Sequence, residues 1–122
     1  MLYEKHFKRN YLHVEDAARC FTWAIEHWDA MVGRCYNAGL DDANLSKQEL
    51  AEVIGEFVPN LKIHEAAIGE DPDKRNYIVS NERLYGTGYR PAWSLRAGIR
   101  QLLTAYELLW HPAAMMGPWR NA

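Results

Sequence analysis

The chain has 122 residues, 48% hydrophobic, 12% aromatic and 25% charged, which fits one folded domain with a modest core and leaves no room for two ordinary ones. A formal charge of −2 with scattered basic residues gives no electrostatic reason to expect nucleic acid as a partner. No apolar run approaches the ~20 residues of a bilayer crossing, Met1 to Asn10 is too polar for a signal-peptide core, and the two cysteines, Cys20 and Cys35, make neither a disulfide scaffold nor a metal spacing. A reduced, cytoplasmic protein without a membrane partner is the expectation.

Asn10 to Val14 reads as a short strand, with Leu12 and Val14 on one face and Tyr11 and His13 on the other. Glu15 and Asp16 stand where acidic groups favour a helix N-terminus. Ala17, Phe21, Ala24, Ile25 and Trp28 then recur at helical spacing and are expected to form the buried stripe. Gly33 ends that unit. Cys35 to Ala38 is expected to be a second short strand, followed by a loop through Gly39, Asp41, Asp42 and Asn44. Ser46 and Glu49 form a capping box, opening a helix whose core stripe is Leu50, Val53, Ile54, Phe57 and Val58 and which Pro59 stops.

Leu61 to Glu65 alternates as a third strand would, Gly69 to Asn76 is a charged loop, and Tyr77 to Val79 is a very short strand. A helical turn follows around Glu82 to Tyr85, then a turn at Gly86, Gly88 and Pro91. Ser94 caps a last helix with Leu95, Ile99, Leu102, Leu103, Tyr106 and Leu109 on its buried face, and Pro112 closes it. Residues 112–122 read as a loosely ordered tail, with Met115, Met116 and Trp119 available to dock on a surface. The pattern is that of a small α/β domain with a few short strands and about three main amphipathic helices.

Candidate chemistry is sparse. The five histidines show no H-E-x-x-H spacing, so no metal site is expected. His27 reads as a surface residue, Cys20 as an inert core thiol, and the tryptophans, Trp23 and Trp28 among them, as mostly core. The acidic pairs Glu15-Asp16 and Asp41-Asp42 are explained by capping and turn formation.

The runs R-N-Y-L-H-V-E-D (9–16), A-A-R-C-F-T-W-A-I-E (17–26), C-Y-N-A-G (35–39) and L-S-K-Q-E-L-A-E-V-I (45–54) are followed by D-K-R-N-Y-I-V-S-N-E-R-L (73–84) and G-Y-R-P-A-W-S-L-R-A-G-I-R-Q-L-L (88–103). In that order and spacing, the sequence resembles the C-terminal, sugar-nucleotide-binding region of the NAD-dependent epimerase/dehydratase family of extended short-chain dehydrogenases. The resemblance implies that the chain holds a nucleoside diphosphate-sugar, while NAD or NADP is held by a Rossmann region with a G-x-x-G-x-x-G loop and a Tyr-x-x-x-Lys catalytic pair. Neither motif occurs here: none of the seven tyrosines has a lysine four positions on, and the eight glycines never take that spacing. Gly86-Thr87-Gly88 does not substitute, because position 91 is proline and no strong strand leads into it. The chain is therefore expected to hold no cofactor and to be inactive alone, with any Rossmann part supplied by a separate partner chain.

By resemblance, Arg9 and Arg75 match positions that grip the diphosphate, Tyr11 one near the nucleotide or sugar, and Asn37 a loop near the phosphates. A planar guanidinium suits phosphate, donating paired, charge-assisted hydrogen bonds. Each residue also has a plainer reading: Arg9 and Arg75 as surface arginines paired with Glu15, Asp71 or Asp73, Tyr11 as a half-buried strand tyrosine, Asn37 as a turn-stabilising amide. Three functions remain open: a sugar-nucleotide-binding domain, a non-enzymatic binding module, and an assembly protein that reuses the fold. A homo-oligomer is expected in each case, since a domain without its usual neighbour exposes apolar area.

Overall fold

The computed structural model describes residues 5–64 and 75–109. The architecture is mixed helix and strand: β1 (Lys8–Asn10), α1 (Val14–Glu26), α2 (Trp28–Met31), a 3₁₀ turn (Asp41–Ala43), β2 (Asn44–Ser46), α3 (Lys47–Gly55), α4 (Glu82–Tyr85) and α5 (Leu95–Leu109). β1 and β2 pair antiparallel, with Lys8 opposite Ser46, Arg9 opposite Leu45 and Asn10 opposite Asn44. Among the described residues no helix is long and apolar enough to cross a membrane.

The local signals account for the helix starts. Ser46 Oγ accepts from Glu49 N–H at 3.1 Å while Glu49 accepts from Ser46 N–H at 2.6 Å, completing the capping box. The bond from the Ser46 backbone N–H, aided by the Ser46 hydroxyl, holds the Glu49 carboxyl below the usual carboxylate range. Ser94 Oγ likewise accepts from Ala97 N–H at the start of α5. α1 opens on His13, whose Nδ1 accepts from Glu15 N–H; Nε2 therefore carries the proton and donates to Gln101 Oε1 at 2.6 Å. Gly33 ends the α1–α2 unit at φ 74°, a conformation that favours glycine.

The strands differ from expectation. Strand structure begins earlier, at Lys8, and Tyr11–His13 is only the approach to α1. Cys35 to Ala38, 61–64 and Tyr77 to Val79 are not in strands; the second strand is Asn44–Ser46, which the sequence reads as loop and helix cap. A strand needs a partner as well as a pattern, and the alternation of so short a run does not specify one. α3 ends at Gly55, so Phe57 and Val58 fall in the turns after it. α4 spans the expected residues. The tail 112–122 and most of the charged loop before Asn76 lie outside the described residues.

The core sits between α1, α4 and the segment after it. Met31, Leu84 and Tyr89 are buried, with Cys20, Trp23, Ala24, Tyr36 and Tyr85 packed around them. This overturns the large members of the expected α1 stripe: Phe21, Ile25 and Trp28 are 75%, 72% and 61% exposed, while Ala24 does pack on the core. The inward face is instead Asp16, Cys20, Trp23 and Ala24, continued by Met31. α1 carries apolar groups on two faces, and the period alone does not say which one finds a partner. In α5, Ile99 is buried, but Leu102, Tyr106 and Leu109, expected inside, are exposed. His27, read as a surface residue, is half-buried and stacks on Trp23 at 3.8 Å.

Asp16 is the polar centre of this core. Its side chain is fully buried, its two carboxylate oxygens accept from Ala92 N–H at 2.8 Å and Trp93 N–H at 2.9 Å, and Arg19 pairs with it at 3.0 Å. Its carbonyl accepts from Tyr89 Oη at 2.6 Å. Burial, with the Asp16 charge close by, pushes the Tyr89 phenol up to about 12 from 10.0. A raised folded-state pKa means the folded form holds the proton longer, so this contribution to stability is intact below pH 10 and fades as pH rises toward 12. Chemical denaturation across that window is expected to give a steeper loss of stability for the wild type than for Tyr89→Phe; equal slopes would contradict the assignment.

Candidate functional site

β1 positions the candidate site, and the segment from Arg75 to Tyr85 is laid across it. Lys8 N–H donates to Asn76 Oδ1 at 3.0 Å, and Arg9 Nη1 donates to the carbonyl of Arg75 and to that of Lys8. Farther along, Asn44 grips Val79 reciprocally: its Nδ2 donates to Val79 O at 3.0 Å and its Oδ1 accepts from Val79 N–H at 2.8 Å. Asn37 Nδ2 donates to Ser80 O at 3.2 Å, and Asn81 Nδ2 to Asp41 Oδ1 at 2.7 Å. Side-chain amides thus stand in for a third strand of the sheet, offering one donor and one acceptor as a backbone would.

At the open end of this arrangement the Arg9 guanidinium lies 5.4 Å over the Tyr77 ring, a cation–π distance. A shallow groove of about 450 Å³ is bounded there by His6, Lys8, Asn76, Tyr77 and Ile78. Tyr11 follows β1 and is half-buried. Burial raises its phenol pKa, the positive charge of Arg9 opposes the rise, and Tyr77 adds to it. Three of the four sequence-picked residues, Arg9, Tyr11 and Arg75, fall in one neighbourhood, although none of them lines the groove and Tyr11 lines the apolar concavity described below. Asn37 does not; it is exposed and serves the anchoring of Ser80.

Lys8, Asn76 and Tyr77 are the site residues that the sequence reading missed. A lysine beside the picked arginine on one strand, and an aromatic two positions after the other, were the available signal. Asn10 was missed as well, although its side chain closes a second reciprocal grip, donating to Leu40 O at 2.8 Å and accepting from Leu40 N–H at 2.9 Å.

A second concavity, of about 370 Å³, lies between the start of α1, α3 and α5, with Leu12, Val14, Leu50, Ile54, Ile99 and Leu102 in its walls. Its chemistry is apolar, so it does not recommend itself for a phosphate. Among the described residues no group of three His, Cys, Asp or Glu side chains is placed to hold a metal ion. Cys20 is half-buried and its thiol pKa is raised by that burial, which makes it a poor nucleophile; Cys35 is exposed. No protein-family profile matches this sequence.

Proposed function

We propose that this chain binds nucleoside diphosphate-sugars, as the substrate-holding part of an epimerase/dehydratase-like system, with the diphosphate between Arg9 and Arg75. One observation carries the reading: the Arg9 guanidinium on β1 reaches the backbone carbonyl of Arg75, 66 residues on, which brings the two positions together. Lys8 adds positive charge and the Tyr77 ring a flat apolar surface, the mixture that a phosphorylated, ring-bearing ligand uses. NAD or NADP has no place in this reading of the chain; it belongs to a separate Rossmann-type partner, and the bound sugar is chemically idle until that partner arrives.

A second reading, a non-enzymatic oligomeric or partner-binding module, draws support from the exposed apolar residues of α1 and α5.

Calorimetric titration with a panel of nucleoside diphosphate-sugars, and separately with NAD and NADP, tests the first reading. Saturable binding of one sugar-nucleotide class is expected, with none of the dinucleotides. Arg9→Ala should weaken it about tenfold or more, the usual scale of a lost charge-assisted hydrogen bond, and Arg75→Ala comparably. Added salt should weaken it too. A folded protein that binds none of the panel, or binding indifferent to both substitutions, sinks the reading.

A further inference from the structure

The apolar concavity between the start of α1, α3 and α5 is large for a chain of 122 residues, since a domain of this size ordinarily fills such space with its own side chains. Leu12, Leu50, Ile54 and Leu95 are only half-buried along it. Its volume of about 370 Å³ holds roughly twelve heavy atoms, at about 30 Å³ each, the share a water molecule takes in the liquid.

One end of this space is polar, and its groups are held in place. His13, which lines it, is fixed four ways. Its Nδ1 accepts from Glu15 N–H at 3.2 Å, its Nε2 donates to Gln101 Oε1 at 2.6 Å, and its ring stacks on Trp93 at 4.2 Å. Its edge rests on Gly98, where a Cβ would stand 3.3 Å from Cδ2. A glycine inside a helix weakens it, so the seating of His13 gives Gly98 a reason to be in α5. The bond from His13 also orients Gln101, another lining residue: its Oε1 is taken, and the hydrogens on its Nε2 are left to donate. Among the described residues no acceptor pairs with that Nε2. An apolar space with a few fixed polar groups at one end is the usual form of a small-molecule site.

The charges say what kind of head group belongs there. No lysine, arginine, aspartate or glutamate lines the concavity, so a charged head would lose its water without gaining a partner. The Glu15 carboxylate, held by Trp93 Nε1 at 3.0 Å, stands beside the wall and disfavours an anion further. We infer that the concavity binds a medium-length acyl chain with an uncharged carbonyl, an amide or ester of about ten heavy atoms. The chain lies between α3 and α5, and the carbonyl oxygen accepts from Gln101 Nε2. This goes beyond the sugar-nucleotide reading, since neither Arg9 nor Arg75 lines the concavity.

Calorimetric titration of the whole chain with octanamide, and separately with octanoate, tests it. Octanamide should saturate with a dissociation constant below about 1 mM, the scale that roughly ten heavy atoms support. Octanoate should bind about tenfold more weakly or worse. Ile54→Trp fills the concavity from the α3 side and should weaken octanamide about tenfold or more without lowering the melting temperature; if that variant does not fold, Leu102→Trp fills it from α5. Gln101→Glu keeps an acceptor for His13 but removes the donors, and should weaken octanamide about tenfold. A folded wild type that binds no octanamide overturns the proposal, as does binding indifferent to the filled concavity. Octanoate bound as tightly as octanamide, or octanamide unmoved by Gln101→Glu, overturns the uncharged head at Gln101. A dimer that Ile54→Trp dissociates, with no octanamide bound, gives the concavity to a second copy and overturns the proposal too.

Discussion

Replacing Asp16 by alanine is expected to lower the melting temperature by about 10–20 °C. The carboxylate leaves behind two backbone N–H groups, of Ala92 and Trp93, and the guanidinium of Arg19. A buried donor stripped of its acceptor costs roughly 1–3 kcal/mol, so about 3 kcal/mol is a fair sum for the pair. In a domain of this size that converts to the stated shift. The effect is large because Asp16 is a joint: it fastens the first turn of α1 to the chain entering α5, 76 and 77 residues away. Asp16→Asn keeps one acceptor oxygen and should cost about half as much. Thermal unfolding by circular dichroism decides; an alanine variant melting within a degree or two of wild type would remove Asp16 from its central place.

The second large effect concerns Gly39. A Cβ added there would stand 2.2 Å from Asn10 Oδ1, 2.8 Å from Asn10 Cγ and 2.9 Å from Asn81 Oδ1. Asn10 cannot swing aside without giving up both of its bonds to Leu40, and Asn81 is 1% exposed. Gly39→Ala should therefore destabilise by about 2–3 kcal/mol, the upper part of the range for overpacking, and loosen β1 next to Arg9. The cause can be isolated. In an Asn10→Ala background, which lacks the obstructing amide, the same substitution should cost much less, giving a coupling of 1 kcal/mol or more in a double-mutant cycle from denaturant melts, within the usual range for touching residues. Additive costs would show that the glycine is needed for some other reason.

What the sequence disclosed depended on how local the cause was. The Ser46–Glu49 box, the Ser94 cap, Gly33 and the α4 turn are written into three or four consecutive residues, and each is found in the structure. The amphipathic period of α1 was legible, but its two apolar faces were not ranked, because only the rest of the fold decides between Trp23 and Phe21. The strands were least legible. Cys35 to Ala38 has strand composition, whereas Asn44–Ser46, with its two polar residues out of three, does pair. At the site, Arg9 and Arg75 were picked by family resemblance, and no local rule announced that their neighbours would be asparagines acting as backbone substitutes. Asp16 looked like an ordinary helix-start acid because the amides it accepts from are far away in sequence.

The way the Arg75–Tyr85 segment is fastened also sets the order in which the molecule is completed. Its ties to β1 bridge 66 and 68 residues, and each is a single amide or guanidinium bond with no ladder to propagate along. Closing so long a stretch costs chain entropy before any of those bonds repays it. Helix α3, opened by the local Ser46–Glu49 box, is expected to form before this segment docks, whereas α1 takes much of its packing from residues 84–93. Arg9 is made 66 residues before Arg75, and its bond to the Arg75 carbonyl forms only after the later segment has been made and has travelled back.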